Sequence, residues 1–96
     1  MKNILWYLVA GTRGGETRAK IINAIKKKPA NANQLSKSLG FDYKTIEHHL
    51  KILLENNIFT VINKDKYGAV YFLSEEMEKN IAIFEDIWKR FGNNLG

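Results

Sequence analysis

The chain has 96 residues, enough for one hydrophobic core and too few for two, since single domains usually need about 100 to 200. Its 45% apolar and 26% charged residues exclude disorder throughout, and the absence of cysteine excludes disulfides, thiolate metal sites and thiol nucleophiles. The net charge of +5 is uneven: residues 1–51 hold ten basic and three acidic side chains, a net +7, whereas residues 52–96 hold five and seven, a net −2. A basic first half suits a polyanionic partner; the alternative is lysines that only solvate helix faces.

The longest apolar run, Ile4 to Ala10, is far shorter than the roughly 20 residues a membrane span requires. It is also at the short limit for the core of a secretory signal, and Leu8 stands where a small residue should precede cleavage after Ala10. The expected location is the cytoplasm, with no membrane partner.

Lys2 to Ala10 reads as a short helix with almost no polar face, so something must cover Leu5, Trp6, Leu8 and Val9. Gly11 to Gly15 is a connector that lacks both glycine-rich spacings used to cradle phosphates. From Glu16 to Lys28, Ala19, Ile21, Ile22 and Ile25 recur at helical spacing, Lys26 to Lys28 suit the negative end of the helix dipole, and Pro29 stops the helix. Asn33 is the expected N-cap of a short helix from Gln34 to Leu39, closed by Gly40. Asp42 then caps a longer helix from Tyr43 to about Asn56, with Ile46, Leu50, Leu53 and Leu54 on one side.

The period changes after Asn57. Phe59–Ile62 and Ala69–Leu73 are rich in β-branched and aromatic residues and flank the turn formers of Asn63–Gly68, which predicts a β-hairpin. Ser74 caps a final helix with Glu75, Glu76 and Glu78 in its first turn, expected to run unbroken to Phe91 and stop at Gly92.

Two helices joined by a short glycine-containing turn, preceded by a third helix and followed by a hairpin, make a winged helix-turn-helix. The string from Gln34 through Ile58 resembles the core of the ArsR-like winged-helix family, especially its archaeal members, most specifically at Tyr43-Lys-Thr-Ile-Glu-His-His-Leu-Lys-Ile-Leu53. The resemblance spans about residues 13 to 73. The expected fold is therefore mainly α with a small β-hairpin: one domain, with an N-terminal helix (1–12), a winged core (13–73) and a C-terminal helix (74–96).

Advancing about 100° per residue from Ile46 leaves Lys44, Thr45, His48 and Lys51 on the half of the helix away from Leu50, Leu53 and Leu54. Lysine pairs with phosphate or guanine acceptors, threonine with phosphate or a thymine methyl, and neutral histidine donates or accepts. Tyr43 lies within about 80° of Ile46, toward the buried side, but stands at the helix start and is counted with the DNA contacts. Ser36 and Lys37 on the preceding helix, and Lys64 and Lys66 at the hairpin tip, complete the expected set. Lys28, Arg13 and Arg18 either join it or are solvated charge. His49, about 60° from Ile46, is expected to pack partly buried with one hydrogen bond.

No metal or cofactor site is expected. His48 and His49 diverge by about 100° and no cysteine or third histidine completes a ligand set. No nucleophile–base arrangement or metalloprotease motif is present, so no enzymatic activity is expected.

In the last helix Met77, Ile81, Phe84, Trp88 and Phe91 form a stripe that Ile83 and Ile87 widen. Together with Leu5, Trp6 and Leu8 this is more apolar width than a small core is expected to bury, and such area marks a partner surface. The resemblance implies a homodimer through the first and last helices, with Leu5, Trp6, Leu8, Ile81, Phe84, Ile87, Trp88 and Phe91 in the interface. The alternative is that the two helices cover each other within one chain. The expected function is that of a homodimeric, sequence-specific double-stranded DNA-binding transcription regulator. The other reading is a winged-helix module that docks on another protein; an RNA-binding module is disfavoured by the scarcity of exposed aromatics among the basic residues.

Overall fold

The computed structural model describes residues 1–63 and 68–95. In chain order the elements are α1 (Lys2–Val9), α2 (Gly15–Lys27), β1 (Ala30–Asn31), α3 (Ala32–Leu39), α4 (Tyr43–Glu55), β2 (Phe59–Ile62), β3 (Val70–Leu73), α5 (Glu75–Lys79) and α6 (Ile81–Leu95). The apolar stripes converge on one core, to which α1 gives Leu5 and Leu8, α2 Ile21, Ile22 and Ile25, α4 Ile46, Leu50 and Leu53, and α6 Phe84 and Ile87. The three strands form an antiparallel sheet in the order β1-β3-β2, with Phe59 opposite Leu73 and Val61 opposite Tyr71. The expected mainly helical winged helix-turn-helix is the observed fold.

The turn between α3 and α4 is built from local chemistry. Gly40 takes φ 77°, the left-handed conformation that costs a residue without Cβ little, and its N–H bonds the Ser36 carbonyl at 3.0 Å. The Asp42 carboxylate then accepts from the Thr45 N–H at 2.7 Å, starting α4 where expected.

Four local expectations are corrected. The cap of α3 is Asn31, not Asn33: its side chain accepts from the Gln34 N–H at 2.7 Å while the Gln34 side chain accepts from the Asn31 N–H at 2.9 Å. This reciprocal capping box satisfies two orphan donors where Asn33 would satisfy one, and it starts α3 at Ala32. Directly before it lies an unforeseen strand, where Ala30 and Asn31 pair with Tyr71 and Val70.

The final helix is broken. At Asn80 the side-chain amide donates to the Glu76 carbonyl at 2.8 Å, the acceptor that an unbroken helix would offer to the Asn80 N–H, which bonds Met77 at 3.0 Å instead. Gly92 does not stop α6, which continues to Leu95. A Cβ on Gly92 would fall 2.3 Å from the Trp88 indole, so the glycine makes room for a ring lying along its own helix.

The last correction concerns the terminal helices. α1 packs on α6 within the chain, and Leu5, Leu8, Phe84 and Ile87 are fully buried there, so these four belong to the core and not to an exposed face. Trp6, Ile81 and Trp88 are half-buried, and Phe91 remains 41% exposed with its ring 5.1 Å from that of Trp6 in an edge-on contact.

Gly15 sits where the start of α2 presses on the end of α1: an added Cβ would lie 2.0 Å from the Val9 carbonyl oxygen, a backbone atom that cannot turn aside. Gly15→Ala is expected to cost about 1–3 kcal/mol, the usual range for overpacking, read as a lower urea midpoint. Gly40→Ala, where nothing lies within 4 Å, is expected to cost only the left-handed backbone conformation.

Candidate nucleic-acid interface

Burial of Ile46, Leu50 and Leu53 turns the opposite side of α4 outward, where Lys44, His48 and Lys51 are exposed. Between this side and the sheet runs an open groove of ≈ 960 Å³. Tyr43, Lys44, Glu47, His48, Lys51, Leu54 and Glu55 line it from α4, Ala69 and Tyr71 from the hairpin, and Asn31 and Asn33 from the start of α3. Lys44, His48 and Lys51 therefore lie together, as expected.

The other expected residues are placed less uniformly. Tyr43 is 48% exposed and joins the groove, because the first turn of α4 extends past the core that covers Ile46. Thr45 is half-buried and does not line the groove, and its N–H is held by Asp42. Ser36 donates its hydroxyl to the Phe41 carbonyl at 2.6 Å, which ties down the turn and engages the proton that a phosphate would need. Lys37 is exposed on α3. Lys64 and Lys66 lie outside the described residues. Glu47 and Glu55, missed in the sequence, also line the groove; at about 100° and about 180° from Ile46 the helical wheel already places them on the flank and on the outer side.

Arg18 is the second departure. It is not solvated charge but 4% exposed inside the domain. Its Nε donates to the Leu8 carbonyl at 2.7 Å, Nη1 lies 3.3 Å from His49 Nδ1, and Nη2 bonds the Thr12 hydroxyl and, at 3.4 Å, the Arg13 carbonyl. One guanidinium thus joins the C-terminal end of α1, the α1–α2 connector and the groove-bearing helix. The signal was present, since Arg18 precedes Ile21, Ile22 and Ile25 by three, four and seven residues and falls on the same stripe.

His49 is buried with the hydrogen bond expected of it, and its pKa is lowered, first by burial, then by the Arg18 charge and His48. A neutral imidazole whose Nδ1 faces a donor carries its proton on Nε2. Asp42 is held below the usual carboxylate range by the hydrogen bond from Thr45, and Tyr71 in the groove wall is raised by burial, with Tyr43 and Glu47 adding to it. Among the described residues no group of three or more His, Asp or Glu side chains is placed to hold a metal ion, and no helix is long and apolar enough to cross a membrane.

Residues 15–60 match the family model described as "Bacterial regulatory protein, arsR family", a span that holds α2, α3 and α4. The fold is that of winged helix-turn-helix regulators. A transcriptional regulator homologue from Pyrococcus horikoshii superposes with a TM-score of 0.68 at 16% identity, over 99% of this chain and 98% of that one. The transcriptional regulator BldR from Sulfolobus solfataricus gives 0.73 at 11% identity, over 98% of this chain and 68% of that one. Reduced HlyU from Vibrio cholerae gives 0.68 at 16% identity, over 94% and 88%. No curated protein sequence matches the chain. The family match covers residues 15–60, and these neighbours share the winged-helix fold.

The Arg18–His49 contact makes stability depend on pH in a defined direction. The folded state holds His49 neutral, whereas the unfolded chain takes up a proton near the ordinary value of about 6.5. The contribution is therefore complete above that value and is lost as pH falls through the lowered native one. Urea midpoints should drop between pH 7.5 and 5, and His49→Gln, which cannot protonate, should flatten the drop. An equal drop in the variant would assign it to other groups.

Proposed function

We propose that the protein is a homodimeric, sequence-specific double-stranded DNA-binding transcription regulator of the ArsR/MarR-like winged-helix type, placed among its archaeal members by the string from Gln34 to Ile58. Helix α4 enters the major groove, and the wing expected from the sequence at residues 63–68, largely outside the described residues, meets the backbone or the adjacent minor groove. The observation that carries this reading is the unobstructed outer side of α4: the two lysines Lys44 and Lys51, with His48 between them, stand exposed along one open groove. Lysines on such a face displace counterions from phosphates and supply the salt-dependent part of affinity, and base-edge contacts supply selectivity.

Lys44→Ala and Lys51→Ala should each weaken duplex binding, and a residue that contacts a phosphate should lower the slope of log K against log salt by about one. Titrations of a selected duplex at several salt concentrations measure both. Binding that is unchanged and insensitive to salt would overturn the reading.

For the dimer, packing of α1 on α6 leaves a half-buried apolar rim of Trp6, Ile83 and Trp88, with Tyr7 59% and Phe91 41% exposed. A shallow cleft of ≈ 360 Å³ between the two helices is lined by Lys2, Trp6, Ala82, Ile83, Asp86 and Arg90. A two-fold contact along this rim would set two α4 helices about 34 Å apart, one turn of DNA, and call for a near-palindromic site. Light scattering should give twice the chain mass, and Phe91→Glu should reduce it toward a single chain. The same rim favours the second reading, a module that docks on another protein, if the chain is monomeric and binds no duplex.

A further inference from the structure

Glu47 is an acid on the side of α4 that carries the lysines, and a carboxylate there costs affinity for any polyanion. It follows Lys44 by three residues and precedes Lys51 by four, so the charges alternate along about 10.5 Å of helix, close to three base-pair steps of about 3.4 Å. Glu followed by Lys at the fourth position is the favourable orientation for an ion pair on a helix. Such i,i+4 pairs form elsewhere, with Lys20 on Glu16 at 3.5 Å and Lys79 on Glu75 at 3.8 Å. Among the described residues the Glu47 carboxylate makes neither an ion pair nor a hydrogen bond, and this exposed side chain lines the groove beside Lys44, His48 and Lys51.

We infer that Glu47 is a specificity-determining residue that accepts a hydrogen bond from the exocyclic amino group of a cytosine in the major groove, within the DNA-binding reading given above. An ionised carboxylate only accepts, and the major-groove edges offer it two donors, cytosine N4 and adenine N6. Adenine sets the N7 lone pair beside its amino group and repels a carboxylate, whereas cytosine sets a C–H there. Guanine and thymine present acceptors and leave the carboxylate desolvated against like charge. The guanine paired with the chosen cytosine presents O6 and N7, which suit the ammonium of Lys44 or Lys51 one turn away. The acid and a lysine thus read the two halves of one C·G pair, and the affinity lost against phosphates becomes rejection of the other pairs.

The test begins with selection from a random duplex pool by the wild-type protein, followed by titration of the selected duplex and of duplexes changed at single pairs. Wild type should hold one C·G pair in each half-site and lose about 5- to 150-fold on its replacement by T·A, the range for one good base contact. Glu47→Ala should discriminate less than about 2-fold at that pair while binding unrelated duplex as tightly as wild type or more so. Glu47→Gln should move the preference toward A·T, because an amide pairs with adenine N6 and N7. The inference is overturned if Glu47→Ala selects the same pair, or loses affinity uniformly on all duplexes with an unchanged thermal melt. Absence of any duplex binding by wild type would overturn the DNA-binding reading itself, a separate outcome.

Discussion

The one-sided burial of α4 is the constraint on which the rest depends. Ile46, Leu50 and Leu53 are withdrawn from water completely, each worth roughly 1.5–3 kcal/mol relative to exposure, and together they set the rotation of the helix about its axis. A helix held on that stripe has no choice about where its other residues point. Lys44, Glu47, His48 and Lys51 are outward because the leucines and isoleucine are inward. Surface charge contributes little to this, since exposed ion pairs are worth only about 0–1 kcal/mol.

Rotation alone would leave α4 free to slide or tilt against its neighbours. Arg18 supplies the polar restraint, and among the described residues it does so without a carboxylate partner. Burial works against a guanidinium, and here the compensation comes from neutral acceptors: the carbonyls of Leu8 and Arg13, the Thr12 hydroxyl and His49. The Leu8 carbonyl stands at the C-terminal end of α1, where the helix dipole favours positive charge. Because His49 adjoins His48 on α4, the group that holds the helix from behind is one residue from a group on its outer face. The helix that bears the groove and the α1–α2 connector are thus parts of one hydrogen-bonded unit, and the sheet closes the groove on its other side through Tyr71.

How much was legible in the sequence differed by the range of the forces involved. The boundaries of α4, the Asp42 and Ser74 caps and the two hairpin strands were read to within a residue, because a cap followed by a stripe of fixed period is a local pattern. The start of α3 was misread by two residues, since Asn31 and Asn33 are both good caps taken singly and only the reciprocal bond from Gln34 separates them. The break at Asn80 escaped because a 3.6-residue stripe runs through it; the decisive competitor was one amide side chain bonding backward to Glu76. Strand β1 was invisible, as two residues carry no period and are paired only because β3 lies beside them.

The sequence by itself determined which residues could be inside, where most helices begin, and that the first half of the chain is basic, because apolar periodicity, capping and charge act over a few neighbouring residues. Tertiary structure decided what the apolar and charged residues meet. It turned Leu5, Leu8, Phe84 and Ile87 from surface into core, moved Arg18 from solvent to the interior and His49 onto it, and opened a groove that admits Glu47 and leaves Thr45 aside. The physical reason is that burial belongs to pairs of distant segments brought together by packing, and no residue's own neighbours in the chain reveal which segment will cover it.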